Sequence, residues 1–271
     1  MSHATVAVIV KKERVTNLLN TGAFTNLEDV LSTIVDNMME PFDESMEVAP
    51  YPALTPEQLK VNFNNIMQRS KDKNDKWGQA AKKAGATKNP QAYLKWYYDD
   101  YEFNDDGFPL TTYNPNSKWD WYQIGGRWSN LITTTTGEHV NFCQLKDLVR
   151  KEELSEDRKE ELRREYEYYT TDDWSEELKA WANEHRIFKF YKTSYYKEKY
   201  PTYKVYENLS VSFSTYALLN SKGEWIEPGQ MGWFGLSSAT ATEEREFQNK
   251  YNAYLDAEDQ ENYIVIVDYH I

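Results

Sequence analysis

Two apolar runs, one near each end of the chain, constrain the fold more than any other feature. Residues 3–10 read His-Ala-Thr-Val-Ala-Val-Ile-Val, β-branched, unbroken by Gly or Pro and with little alternation. A strand wetted on one face alternates polar and apolar side chains, so a continuous run predicts a strand buried on both faces in the middle of a sheet. Residues 263–267, Tyr-Ile-Val-Ile-Val, predict a second strand of the same kind, followed by Asp268-Tyr269-His270-Ile271. If the two are antiparallel neighbours, the start of one meets the end of the other, and His3 and Thr5 come near Asp268 and His270.

The chain between them predicts helices and short strands in turn. Residues 11–20 read as a polar exit from the first strand. Leu27, Val30, Leu31, Ile34, Val35 and Met38 recur at steps of three and four, with Asn26 as N-cap, and predict an amphipathic helix that Pro41 ends. Thr55-Pro56 is a helix start, with the helix running to about residue 70, and residues 90–98 predict another. Residues 131–136 and 139–142 predict strands around Gly137-Glu138. Residues 146–169 and 172–185 predict charged helices, a flap or insertion whose charges form solvated faces and in-helix pairs. Residues 210–219 and 224–227 predict strands around the turn at 220–223, and 243–254 a final helix. This order implies an α+β fold with a mainly antiparallel sheet and helices packed on one side. A ferredoxin-like core is one candidate. The expected organisation is a single decorated domain, 1–271, with its core at about 1–55, 108–145 and 205–271 and helical insertions at about 56–100 and 146–186.

Composition narrows the function classes. A formal charge of −13 and a pI near 4.9 argue against a broad basic face that wraps duplex nucleic acid. Residues 69–88 are locally basic, with seven bases against two acids; this is either a phosphate-contacting insertion or a solvated helical face. Cys143 is the one cysteine, which excludes an intramolecular disulfide and a Cys-rich zinc site and suits a reducing cytoplasm. No apolar run approaches the ~20 residues of a membrane span, and no signal-peptide pattern opens the chain. The acids around residues 99–106 do not match a calcium loop. Neither a metal nor a cofactor is expected.

Residues 114–128, Asn-Pro-Asn-Ser-Lys-Trp-Asp-Trp-Tyr-Gln-Ile-Gly-Gly-Arg-Trp, concentrate the chemistry. The opening Asn-Pro-Asn-Ser predicts a turn. A strand after it would put Trp119 and Trp121 on one face and Tyr122 on the other. Gly125-Gly126 then permits positive φ and close backbone approach, presenting Arg127 and Trp128. A guanidinium forks onto phosphate or carboxylate, and indoles stack, so the candidate ligand-binding set is Lys118, Trp119, Asp120, Trp121, Tyr122, Gly125, Gly126, Arg127, Trp128 and Trp233, the last from a second Gly/Trp loop at 228–235. A hairpin with its tryptophans in the core is the alternative. The candidate catalytic set is His3, Thr5, Asp268 and His270. His3-Ala4-Thr5-Val6 resembles one half of the His-x-Thr/Ser signature of two-histidine phosphoesterases, in which paired histidines serve as general base and acid. The second half is missing, since His139, His185 and His270 are not followed by that pattern.

The opening Met-Ser-His-Ala-Thr-Val, the Pro41-Phe42-Asp43-Glu44 element, residues 114–128, the Gly-x-Met-Gly-Trp-Phe-Gly segment and the closing Val-Asp-Tyr-His-Ile resemble a family of uncharacterised bacteriophage and mobile-element proteins. That resemblance implies action in the cytoplasm of a bacterial host and carries no assigned activity. Accessory proteins of such elements often counter host immunity, so three functions follow. One is a binding protein without turnover that captures a host defence protein or a nucleotide-type signal, the second a phosphodiesterase using His3 and His270, the third a virion or structural interaction protein.

Overall fold

A computed structural model describes residues 2–232 and 236–271. In chain order, strand β1 (His3–Val10) leads to helices α1 (Lys12–Asn20) and α2 (Leu27–Met39), and then to α3 (Pro56–Arg69), α4 (Lys76–Ala84) and α5 (Pro90–Tyr97). Strands β2 (Trp121–Ile124) and β3 (Phe142–Gln144) precede four helices, α6 (Glu156–Thr170), α7 (Glu176–Glu184), α8 (Thr193–Lys199) and α9 (Tyr203–Val211). The hairpin of β4 (Ala217–Leu219) and β5 (Trp225–Ile226), helix α10 (Ala241–Asp256) and strand β6 (Tyr263–His270) follow. The fold is α+β with a mainly antiparallel sheet.

The sheet runs β2-β6-β1-β4-β5, with β3 on the same side of β6 as β2. Both apolar strands are central, antiparallel, and in register from His3 opposite His270 to Val10 opposite Tyr263. Ala4, Val6, Val8 and Val10 join Val30, Leu31, Ile34 and Val35 of α2 on one face. Ala7 and Ile9 join Ile264, Ile266 and Phe247, Tyr251 and Leu255 of α10 on the other. Helices therefore cover both faces, not one. This is the physical reason the strands lack alternation, because each side chain of β1 from Val6 to Val10 is removed from water.

The ferredoxin-like candidate is also corrected. That topology splits its first βαβ unit with an intervening antiparallel strand, whereas here β1 pairs directly with β4, in parallel. Three local expectations shift as well. Residues 12–20 form α1, because Val15 is buried and Leu18 packs with it. Residues 203–211 are helical, capped by Thr202, and β4 begins only at Ala217. The charged helix expected from residue 146 begins at Glu156, where the Ser155 side chain accepts from Arg158 N–H; its charges form the in-helix pairs Arg158–Glu161, Lys159–Glu156 and Arg163–Glu160.

The chain divides into two compact units, Met1–Asp43 with Lys118–Ile271, and Glu44–Ser117. The helices expected as an insertion at 56–100 lie in the second, which has its own core of Leu54, Leu59, Ile66, Ala81, Tyr93 and Leu94. Thr55 forms a capping box with Gln58 at the start of α3, a device contributing about 1 kcal/mol. Among the described residues no helix is long and apolar enough to cross a membrane.

Candidate functional site

On β1 and β6, alternate residues face α10, and the apolar layer on that face gives out at one end. Beyond Ala7 and Ile266 the same face carries Thr5, His3, Asp268 and His270. His3 lies opposite His270, and Thr5 opposite Asp268. On the far side of β6, Trp121 pairs with His270 and Gln123 with Asp268. Strand pairing alone thus assembles two imidazoles, a carboxylate, a hydroxyl and an indole at one sheet end.

Each imidazole is held at Nδ1 by its own carboxylate. His3 Nδ1 lies 2.8 Å from Asp268 Oδ1, and His270 Nδ1 lies 2.6 Å from Asp120 Oδ1. A carboxylate accepts, so the nitrogen facing it carries the proton and Nε2 becomes the lone-pair nitrogen of the neutral ring. The two rings meet edge to face at 5.2 Å. Trp121 stacks on His270 at 5.4 Å and meets His3 edge-on at 5.2 Å, while 43% of its surface stays exposed. His270 Nε2 is buried and has no hydrogen-bond partner among the described residues. An orphaned buried nitrogen costs about 1–3 kcal/mol.

The glycine pair explains how Asp268 is fixed. Gly125 and Gly126 have φ of +72° and +53°, and they lead the chain into the turn Gly126–Trp128 directly above β6. There the backbone N–H of Arg127 donates to Asp268 Oδ2 at 3.0 Å. With Oδ1 on His3, the 2%-exposed Asp268 carboxylate has both oxygens engaged. Thr5 accepts from the backbone N–H of Tyr216 at 3.2 Å, and the Tyr216 hydroxyl bonds Gly229 O and Ser237 Oγ, tying the second Gly/Trp loop to the same end of the sheet. Burial pushes the Tyr216 phenol up to about 12.

The ligand-binding set separates into two groups. Asp120, Trp121, Gly126 and Arg127 reach the histidine pair, Arg127 through its main chain and with its side chain exposed. The others do not. Lys118 is ion-paired with Glu227 at 2.7 Å. Trp119 donates from Nε1 to Met39 O at 3.1 Å and packs edge-on against Tyr122, whose hydroxyl bonds Asp36. Trp119 and Trp121 therefore do not share a face, because β2 begins only at Trp121 and the backbone bends at Asp120, whose N–H donates to His270 O. Trp128 packs in the core on the α10 side, and Gly125 lies against Asn141. Trp233 lies outside the described residues.

Sequence reasoning missed the pairing of Asp120 with His270, which needs β2 beside β6, and the role of Tyr216, for which no signal existed. Among the described residues no group of three or more His, Cys, Asp and Glu side chains is placed to hold a metal ion. No protein-family model matches the chain, and no curated protein or solved structure matches it significantly.

Proposed function

We propose that the sheet-end site acts on a phosphodiester of a nucleotide-type ligand by general acid–base chemistry of the two-histidine kind, in a phage-type counter-defence setting. The observation that carries this is the pair of imidazoles, each oriented at Nδ1 by a separate carboxylate. Such orientation directs proton transfer to the two Nε2 atoms, one imidazole neutral and one protonated, and the reaction requires the Trp121–His270 stack to part so that the buried His270 Nε2 meets the substrate. The neutral Nε2 takes the proton of an attacking water as its oxygen bonds to phosphorus. The protonated one gives its proton to the leaving oxygen as the phosphorus–oxygen bond breaks. Arg127 supplies a guanidinium for the phosphoryl oxygens, and the exposed part of Trp121 supplies an area on which a base stacks.

A second reading, capture of the nucleotide without turnover, is favoured by the buried His270 Nε2 and by the contact between the rings, which leaves no room for a phosphoryl group between them. Incubation with cyclic and linear nucleotides followed by mass spectrometry separates the two. Cleavage abolished by His3→Ala and by His270→Ala supports catalysis, and recovery of intact bound ligand supports capture. Neither cleavage nor binding would remove both and turn attention to a host defence protein as the partner of the acidic surface.

A further inference from the structure

The unit Glu44–Ser117 carries a surface that the histidine site does not use. Between Lys60 and Tyr98 the chain has nine bases and two acids, in a protein of net charge −13. Arg69 is ion-paired with Asp75 at 2.7 Å. The eight lysines form no ion pair among the described residues, and all are exposed. This contrasts with α6, where bases are matched to acids on the same helix. Unmatched lysines on three helices and the turns between them are open to an external polyanion.

Aromatic rings lie among them. Trp77 of α4 packs on Trp96 of α5 at 4.8 Å and edge-on against Tyr97 at 6.1 Å, and Tyr93 stacks on Tyr97 at 5.6 Å. Trp77 and Tyr97 nevertheless keep 45% and 47% of their surface exposed. Both line a depression of about 470 Å³ together with Asn62, Asn65, Arg69 and Tyr93. An aromatic shelf held rigid by its neighbours, with amides and a guanidinium at its side, presents flat faces and hydrogen-bonding groups at little entropic cost.

We propose that this shelf binds single-stranded nucleic acid, with bases stacking on Trp77 and Tyr97 and lysines of α3 to α5 and their connecting turns lying along the phosphates. Stacking needs bases out of a duplex, so a single strand is the form that fits. The charge excess selects a polyanion over a neutral sugar. The acids Asp99, Asp100 and Glu102 flank Tyr101, so the strand runs from Tyr97 across α4 and away from Tyr101.

Fluorescence anisotropy with labelled oligothymidylate and the full chain tests this, with circular dichroism as the folding control. Trp77→Ala and Tyr97→Ala are each expected to weaken binding about tenfold or more. Trp77→Phe restores most of it, Tyr101→Ala leaves it unchanged, and log affinity falls linearly with log salt at a slope of about −0.7 per contacted phosphate. Lys82→Glu with Lys83→Glu, both exposed, weakens binding without risk to the core. Absence of binding at low salt, tighter binding of duplex than of single strand, or affinity insensitive to the aromatic substitutions would each overturn the proposal.

Discussion

A Cβ on Gly126 would lie 2.4 Å from both the Cβ and Oδ2 of Asp268; the turn after β2 rests on the carboxylate that orients His3. Two constraints coincide at Gly126, a positive φ and this contact, and either alone disfavours a side chain. Gly126→Ala is expected to lower unfolding free energy by about 1–3 kcal/mol and to detach the Arg127 N–H from Asp268. Urea denaturation reads the first effect. Loss of nucleotide cleavage or binding in the still-folded variant reads the second.

The two aspartates differ in what they cost. Asp268 is buried and accepts from both His3 and Arg127, so Asp268→Ala strands two donors and is expected to destabilise by about 1–3 kcal/mol. Asp120 is one-third exposed, at 34% of its side chain, and Asp120→Ala is expected to cost less than about 1 kcal/mol. Equal costs in denaturant titrations would contradict the geometry. A large activity loss in Asp120→Ala at small stability cost would mark its hold on His270 as a positioning one.

Burial, with a smaller contribution from Asp147, pushes the Cys143 thiol up to about 12. Only the thiolate attacks disulfide reagents and iodoacetamide. In the folded protein near pH 8, Cys143 is therefore expected to label far more slowly than in denaturant. A native rate close to that of a free thiol would show that the β3 strand opens readily.

Hydrogen bonds from Lys12 and Lys146 hold the exposed Glu261 carboxylate down to about 2. A folded value below the ordinary ~4.3 of glutamate stabilises the fold above that value, and the contribution is lost as pH falls toward 2. Replacing both lysines by Met is expected to move the Glu261 titration up toward its ordinary value and to flatten stability over this acidic window. Carboxyl carbon NMR of Glu261 checks the first outcome directly.

In the second unit, a Cβ on Gly78 would lie 2.4 Å from the backbone C and O of Arg69. The conformation at Gly78 suits any residue, so the obstruction is one of space between α3 and α4. Gly78→Ala is expected to cost about 1–3 kcal/mol, with faster hydrogen exchange confined to residues 44–117. Uniform acceleration across the chain would instead indicate that the two units unfold together.

The central strands and α2 were legible because their signals are local and long. Five consecutive apolar residues in each strand, Val6–Val10 and Tyr263–Val267, force burial on both faces, and Asn26 caps α2 by accepting from Asp29 N–H as its position implies. Helix α1 was hidden because its apolar contacts reduce to Val15 and Leu18. The strand expected at 210–219 failed at its start because the Thr202 cap and the burial of Tyr206 and Leu209 carry the helix through Val211, over the β-branched pattern. At the site, the meeting of His3, Thr5, Asp268 and His270 followed from the antiparallel pairing of two recognisable strands. The selection among Lys118, Trp119, Trp121 and Tyr122 did not, since it depends on where β2 begins.

His3 and Asp268 are 265 positions apart in sequence, and this separation has a temporal meaning. During synthesis β1 exists long before β6, and until β6 is made β1 lacks its antiparallel neighbour. Because β6 lies between β1 and β2, the middle of the sheet cannot close before β6 is made, and contacts of such span are slow to form. The nascent chain is thus most vulnerable to misassociation in that interval, and occupancy of the exposed β1 edge by a chaperone would be its natural protection.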